Sequence, residues 1–269
     1  MFVRGLGALR LGRRTALAVA AGVTGVAAVA STGGAGGAAA PGARVVRVYG
    51  DAAGAEHVAI IVPGSDTTPA TFDGGRAKPY STPGGGARAL VAQARELDPK
   101  ARLAVIAWLG YDAPRTYSLA AVTEDLAVAG ARELRRTVAR VRAATGAEVT
   151  LLCHSYGSVV CAKALPGLAG VRDVAVFGSP GLRAASAAEL GTRARVWAGR
   201  GGTDWIGNVP HVSIGPLGFG RDPMDRGFGA RIFAAGGGGH SDYLRPGGES
   251  LRNLALIALG RASEVRRGG

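Results

Sequence analysis

The chain has 269 residues, 47% of them hydrophobic, which is enough to bury one full core and suits a single α/β domain with an N-terminal extension. Its formal net charge of +13 favours anionic surfaces such as envelope polymers or lipid headgroups. No basic run is interleaved with aromatics, which argues against a nucleic-acid partner.

In chain order, the first 30 residues carry Arg4, Arg10, Arg13 and Arg14 with no acid, then the uncharged stretch Thr15 to Ala30. Ala28-Val29-Ala30 offers the small residues a signal peptidase accepts, so residues 1–30 read as an export signal cut before Ser31. A cut after Ala40 would leave Pro41 first and is disfavoured. Arg13-Arg14 suggests the twin-arginine route, although Thr15-Ala16-Leu17 matches it only in part. No Cys ends the apolar segment, which excludes a lipoprotein anchor; a retained single membrane anchor is the competing reading. Without the four arginines the exported chain keeps 28 basic and 19 acidic residues. Residues 31–43 are a Gly/Ala/Pro/Ser-rich flexible linker, and the domain spans 44–265.

Within the domain, strand-like runs alternate with helical ones. The runs are Arg44 to Tyr49, Val58 to Val62, Leu103 to Trp108, Val149 to Cys153, Val174 to Phe177, Arg195 to Ala198 and Arg231 to Phe233. Near-continuous apolar runs separated by helices predict a mostly parallel sheet covered on both faces. Leu90, Val91, Ala94 and Leu97 predict a helix ended by Asp98-Pro99. Leu119, Val122, Leu126, Leu134, Val138 and Val141 predict a longer one, N-capped by Ser118 and closed by Gly146. Leu251, Leu254, Ala255 and Ala258 mark the last.

The stretch Glu148 to Lys163 organises the chain. A β-branched run ends at Cys153, a helix begins from Tyr156, and Ser155 stands between them among small residues. A serine on such a turn has its Oγ lifted out of the fold, with a helix N-terminus behind it, as a nucleophile requires. Open α/β sheets carry ligands at the carboxyl ends of their strands, so the residues after each run are the test. After Val62 comes Pro63-Gly64-Ser65-Asp66, a turn able to aim a backbone N–H at an oxyanion. After Ala198 comes a loop presenting Asp204, and after Phe233 a Gly-rich loop carrying His240.

The order Ser, acid, His, with the Ser on a turn after the central strand, resembles the α/β-hydrolase superfamily. More narrowly, Gly-His-Ser-Asp-Tyr at 239–243, Phe-Gly-Ser-Pro-Gly at 177–181, and Gly-Arg-Asp-Pro with Phe-Gly-Ala within 220–230 resemble an uncharacterised group of predicted exported bacterial α/β-hydrolases. The resemblance covers about residues 44–260 and implies the α/β-hydrolase fold. It departs from the superfamily at Cys153, where Gly is usual.

Residue chemistry then assigns the roles. Ser155 is the nucleophile, His240 the general base and acid, and Asp204 the residue that orients the imidazole. The backbone N–H groups of Tyr156 and Ser65 form the oxyanion hole. A base must be neutral to accept the Ser proton, so activity should fall as acid charges the imidazole. Competing readings stand beside these: Ser155 as a helix-capping serine, Asp204 as a loop cap with Asp222 or Asp225 supplying the acid, and His211 as the base. Asp173 and His57 lie at the wrong end of their strands, and His154 is expected to be structural, its ring turned from Oγ. Trp108, Tyr111, Tyr117, Trp205 and Phe219 are candidates to line an acyl pocket. No His/Asp/Glu cluster has ligand spacing, so neither metal nor cofactor is called for. Cys153 and Cys161 are expected to be buried and reduced, their Cα atoms farther apart than the ~7 Å a disulfide spans.

The function so read is an exported serine hydrolase of a small-molecule or lipid-like carboxylic ester, acting through an acyl-enzyme, with an anionic envelope surface as a partner. Acyl transfer on the same triad and a non-catalytic secreted binding module are the alternatives.

Overall fold

The structure is a computed structural model and describes residues 44–74 and 77–268. The expected export signal, its expected cleavage before Ser31 and the expected linker all fall outside the described residues. Among the described residues, no helix is long and apolar enough to cross a membrane.

Each of the seven apolar runs forms a strand: β1 (Val45–Tyr49), β2 (His57–Val62), β3 (Leu103–Leu109), β4 (Glu148–His154), β5 (Val171–Phe177), β6 (Arg195–Gly199) and β7 (Arg231–Ile232). They make one sheet in the order β1-β3-β2-β4-β5-β6-β7, parallel throughout except for β1, which runs antiparallel on the edge beside β3. All seven residues of β3 are buried, as are all of β2 after its first residue, because the sheet is covered on both faces. Helices α1 (Pro83–Leu97) and α4 (Glu249–Ala258) pack on each other, as do α2 (Asp125–Thr145) and α3 (Gly157–Ala164). This is the covered, mostly parallel sheet that the runs predict, in the α/β-hydrolase arrangement that the resemblance implies.

The register positions the site. Val62 pairs with Cys153, His154 with Phe177, and Phe177 with Gly199, so β2, β4, β5 and β6 end side by side. Parallel pairing thereby delivers four loops, distant in sequence, to one edge.

Two boundaries reflect tertiary contacts. Gly146 ends α2 in the left-handed conformation at φ 66°, where only a residue without Cβ sits free of strain. At the other end, α2 starts at Asp125 and not behind Ser118; Leu119–Ala121 is a separate 3₁₀ turn, and Leu119 and Val122 are exposed. The cause is Tyr156. Its phenol donates to the Thr123 carbonyl at 2.8 Å and accepts from the Ala127 N–H at 3.2 Å, capping the helix at that point from across the fold.

Candidate active site

Ser155 comes directly after β4 and has φ 52°, a left-handed backbone that costs a non-glycine residue about 1–3 kcal/mol. The turn is held on both sides: the Ser155 N–H donates to the Phe177 carbonyl at 3.0 Å, and the Ser155 carbonyl accepts from the Ser158 hydroxyl at 2.6 Å. Gly157 makes the turn sterically feasible, since a Cβ there would lie 2.4 Å from the Val62 carbonyl oxygen. The result is a serine hydroxyl raised at the edge of the sheet, in front of the N-terminus of α3.

His240 and Asp204 meet it. His240 Nε2 lies 2.9 Å from Ser155 Oγ, and His240 Nδ1 lies 2.8 and 3.0 Å from the two Asp204 oxygens. Asp204 is buried, and burial alone would push its pKa up. The hydrogen bond and charge of His240, the Tyr243 hydroxyl and the Ile206 N–H outweigh this and hold it below the ordinary carboxylate value. An ionised Asp204 fixes the tautomer: Nδ1 carries the proton and donates it to the carboxylate, which leaves the Nε2 lone pair to accept from Ser155. Asp204 also caps the 3₁₀ turn Trp205–Asn208 through the Ile206 N–H at 2.9 Å, so one side chain both caps the loop and bonds His240.

The rival residues lie elsewhere. Asp222 pairs with Arg200 at 2.6 Å and sits 3.9 Å from His211 Nε2, while Asp225 caps a turn and pairs with Arg221. Asp173 is buried near the start of β5 against Arg195, Arg172 and Trp197. His57 opens β2, at the opposite end of the sheet from Ser155.

The proposed oxyanion donors flank the hydroxyl. Tyr156 is the next residue after Ser155, and Ser65 lies in the turn whose Gly64 packs against the serine: a Cβ on Gly64 would stand 2.6 Å from Ser155 Cβ and 3.1 Å from its Oγ. Neither the Tyr156 nor the Ser65 N–H donates to any carbonyl or side chain among the described residues. The Tyr111 hydroxyl donates to the Pro63 carbonyl at 2.7 Å and pins this turn from below.

A cleft of about 270 Å³ opens over Ser155. Of the five aromatics expected to line it, only Tyr117 and Trp205 do. Trp108, Tyr111 and Phe219 are core residues: Trp108 donates to Thr137 at 3.0 Å and stacks on Tyr111, which stacks on Tyr156, and Phe219 meets Tyr156 edge-on. Those rings point into the packed layers, whereas the cleft wall comes from the loops, with Ser65, Thr67, Tyr80, Thr82 and Leu244 among its residues.

Three supports were not legible in the sequence. Tyr243 donates its hydroxyl to Asp204 Oδ2 and accepts from the Gly201 N–H at 3.2 Å; burial, then the carboxylate, pushes its pKa far up, which keeps the donor protonated. His154, expected to be structural, donates from Nε2 to the His240 carbonyl at 2.8 Å and packs between Phe177 and the His240 ring, so it fixes the loop that carries His240. Asp242 accepts from Lys78, from Tyr80 and from the Gly239 N–H and pairs with Arg245, and so ties the cleft wall to that loop. The Lys78 hydrogen bond is the main reason its pKa is depressed. The only sequence signal was their place in the short blocks around 154 and 239–243.

The cysteines correct the sequence expectation. Cys153 and Cys161 form a disulfide, with Cα atoms 6.4 Å apart and both side chains buried. The expectation failed because it let the helix run on from the strand. The turn at Ser155 instead folds α3 back beside the end of β4, which brings its second turn within bridging distance.

A model of the family described as "Alpha/beta hydrolase" matches residues 39–214, which takes in the serine turn and Asp204. The chain belongs to the alpha/beta hydrolases. Among curated relatives of this hydrolase, an uncharacterized protein of Mycobacterium tuberculosis is 33% identical over 258 residues, covering 84% of this chain and 38% of the relative. An uncharacterized protein of Mycobacterium bovis is 34% identical over 149 residues, 53% of this chain and 54% of that protein. The chain thus spans about two fifths to one half of the length of these relatives. Similar solved structures include esterase PE8 (16% identity, 80% of this chain and 97% of that chain, TM-score 0.47) and a Bacillus cereus carboxylesterase (10% identity, 81% and 94%, TM-score 0.47).

Proposed function

We propose that this hydrolase cleaves carboxylic esters through a serine acyl-enzyme. The observation that carries the reading is the line Ser155 Oγ, His240 Nε2, His240 Nδ1, Asp204, with hydrogen bonds of 2.9 and 2.8 Å, built on a serine held in a left-handed backbone. The serine oxygen bonds to the acyl carbon as its proton passes to His240 Nε2. The developing oxyanion is met by the N–H groups of Tyr156 and Ser65, the imidazolium is balanced by Asp204, and the proton returns to the departing alkoxide. A water molecule then gives its proton to His240, adds to the acyl carbon, and releases Ser155 and the acid.

The test is a panel of p-nitrophenyl esters of increasing chain length with purified variants. Ser155→Ala is expected to lower kcat by roughly 10⁴ to 10⁶ with the fold intact, and His240→Ala about as completely, because the pair acts as one unit. His211→Ala should cost far less. More than about a tenth of the activity in Ser155→Ala, or a reversed order of the two histidine variants, overturns the assignment. Ester product on adding an alcohol in place of acid would turn the reading to acyl transfer.

A further inference from the structure

The loops beside the cleft mouth expose aliphatic and aromatic side chains that the ester chemistry does not use. Tyr117 and Trp205 sit on the rim, Tyr117 fully exposed and Trp205 45% exposed. Beyond Tyr117 the 3₁₀ turn Leu119–Ala121 holds Leu119 80% exposed, with Val122 after it. Alongside runs a hairpin whose tip is Ile214-Gly215-Pro216-Leu217, with Val212, Ile214 and Leu217 all exposed and Ile214 at 74%. The two segments are joined: the Gly218 N–H donates to the Val122 carbonyl at 2.9 Å.

This hairpin is a built structure. Ile214 and Leu217 exchange both backbone hydrogen bonds, at 2.9 and 3.0 Å. Arg183, itself at φ 54°, donates its N–H to the Phe219 carbonyl at 2.7 Å and its guanidinium to the Gly215 carbonyl at 2.8 Å. A tight turn normally carries polar residues at its ends, because they stay in water. Here isoleucine and leucine hold those places, on a segment hydrogen-bonded to the one that carries Leu119 and Val122, and exposed apolar side chains gathered in this way mark a contact surface.

The net charge of the chain points to the occupant. Residues 115–122 and 211–221 contain Arg115, His211 and Arg221 and no Asp or Glu. The neighbouring acids are Asp66, which accepts from the Thr116 N–H and hydroxyl, Asp112 beside Arg44, Glu124 beside Lys163 and Arg183, Asp222 beside Arg200, Asp225 beside Arg221, and Asp125, exposed at the N-terminus of α2; they balance the cations around the patch, so the positive excess belongs to the chain as a whole. The chain as a whole carries 32 basic against 19 acidic residues. Tyr and Trp rings at the cleft mouth, with exposed aliphatic side chains on the loops near it and a net positive chain, match the boundary between anionic headgroups and acyl chains.

We infer that this patch docks the protein on an anionic phospholipid surface, with Leu119, Ile214 and Leu217 entering the acyl boundary and the mouth of the Ser155 cleft facing the lipid. The inference concerns binding and stands apart from the catalytic assignment, so it is tested in a Ser155→Ala background.

The experiment is co-flotation of the full chain with vesicles of phosphatidylcholine alone and of phosphatidylcholine with phosphatidylglycerol, at low and high salt, with Leu119→Asp/Ile214→Asp as the variant. Both chains share the same N-terminal residues, so the difference between them isolates the patch. The variant should bind mixed vesicles on the order of 10²-fold more weakly, since two apolar anchors are lost and two negative charges gained. Binding of the unchanged chain should weaken with salt and be poorer on phosphatidylcholine alone. With Ser155 present, the variant should keep its activity on a soluble short ester, which shows that it is folded. Equal binding by the two chains, or no preference for the anionic vesicles, overturns the inference. So does a dimer in light scattering that the variant abolishes, because a second copy would then cover the patch.

Discussion

Replacing Gly64 with alanine adds one methyl group at the point where the turn after β2 meets Ser155. Its backbone is not in the left-handed region, so the substitution introduces no conformational strain and its effect is steric. The new Cβ would stand 2.6 Å from Ser155 Cβ and 3.1 Å from both Ser155 Oγ and the His154 carbonyl oxygen. Ordinary carbon contacts are about 3.5–4.0 Å, so the turn or the serine must retreat by about 1 Å. Neither moves freely: Pro63 is tied to the Tyr111 hydroxyl, and Ser155 to Phe177 and Ser158. A displacement of about 1 Å in a reacting constellation costs on the order of 10² in rate, and overpacking costs about 1–3 kcal/mol of stability. Gly64→Ala should therefore lose about two orders of magnitude in kcat/KM on a p-nitrophenyl ester, with labelling of Ser155 by a fluorophosphonate slowed in parallel. Gly237→Ala is the matched control, since a Cβ there meets nothing within 4 Å, and it should be neutral. A Gly64→Ala enzyme within about threefold of the parent would refute the close approach of this turn to the serine.

Alkylation under denaturing, non-reducing conditions should add nothing to Cys153 or Cys161, and both thiols should react after reduction; two adducts before reduction would refute the disulfide. Cys153→Ala/Cys161→Ala should lower unfolding stability by about 2.5 kcal/mol in urea titration, the chain-entropy value for so short a loop. Asp173→Asn should cost about 3–5 kcal/mol, because Arg195 and Arg172 lose a buried carboxylate. Burial raises the Asp173 pKa, but hydrogen bonds from Arg195 and Trp197 outweigh this and set it below the ordinary value. Its stabilisation is therefore complete above the unfolded carboxyl pKa of about 4 and is lost as pH falls through the lower folded value. The gap between parent and variant in urea should narrow over that acid window; a gap independent of pH would refute the ion pair.

The sequence by itself determined the layers and the candidate chemistry. Seven short β-branched runs have one economical burial, a parallel sheet covered on both faces. The loops after Val62, Cys153, Ala198 and Phe233 could be read for chemistry because parallel strands bring their carboxyl ends to one edge. Strand and turn signals are local, so they survive without knowledge of neighbours. What the tertiary structure decided is everything set by the direction in which a local element leaves its neighbour. The left-handed backbone at Ser155 turns α3 back along β4, and with that turn Cys153 meets Cys161, the phenol of Tyr156 reaches over to start α2 at Asp125, and Trp108 and Tyr111 are committed to the core. Likewise Tyr243 and His154 carry no pattern of their own. Their roles exist only where the loop after β7 folds over the ends of β4 and β6, because a hydrogen bond between residues 39 or 86 positions apart is fixed by packing and not by spacing.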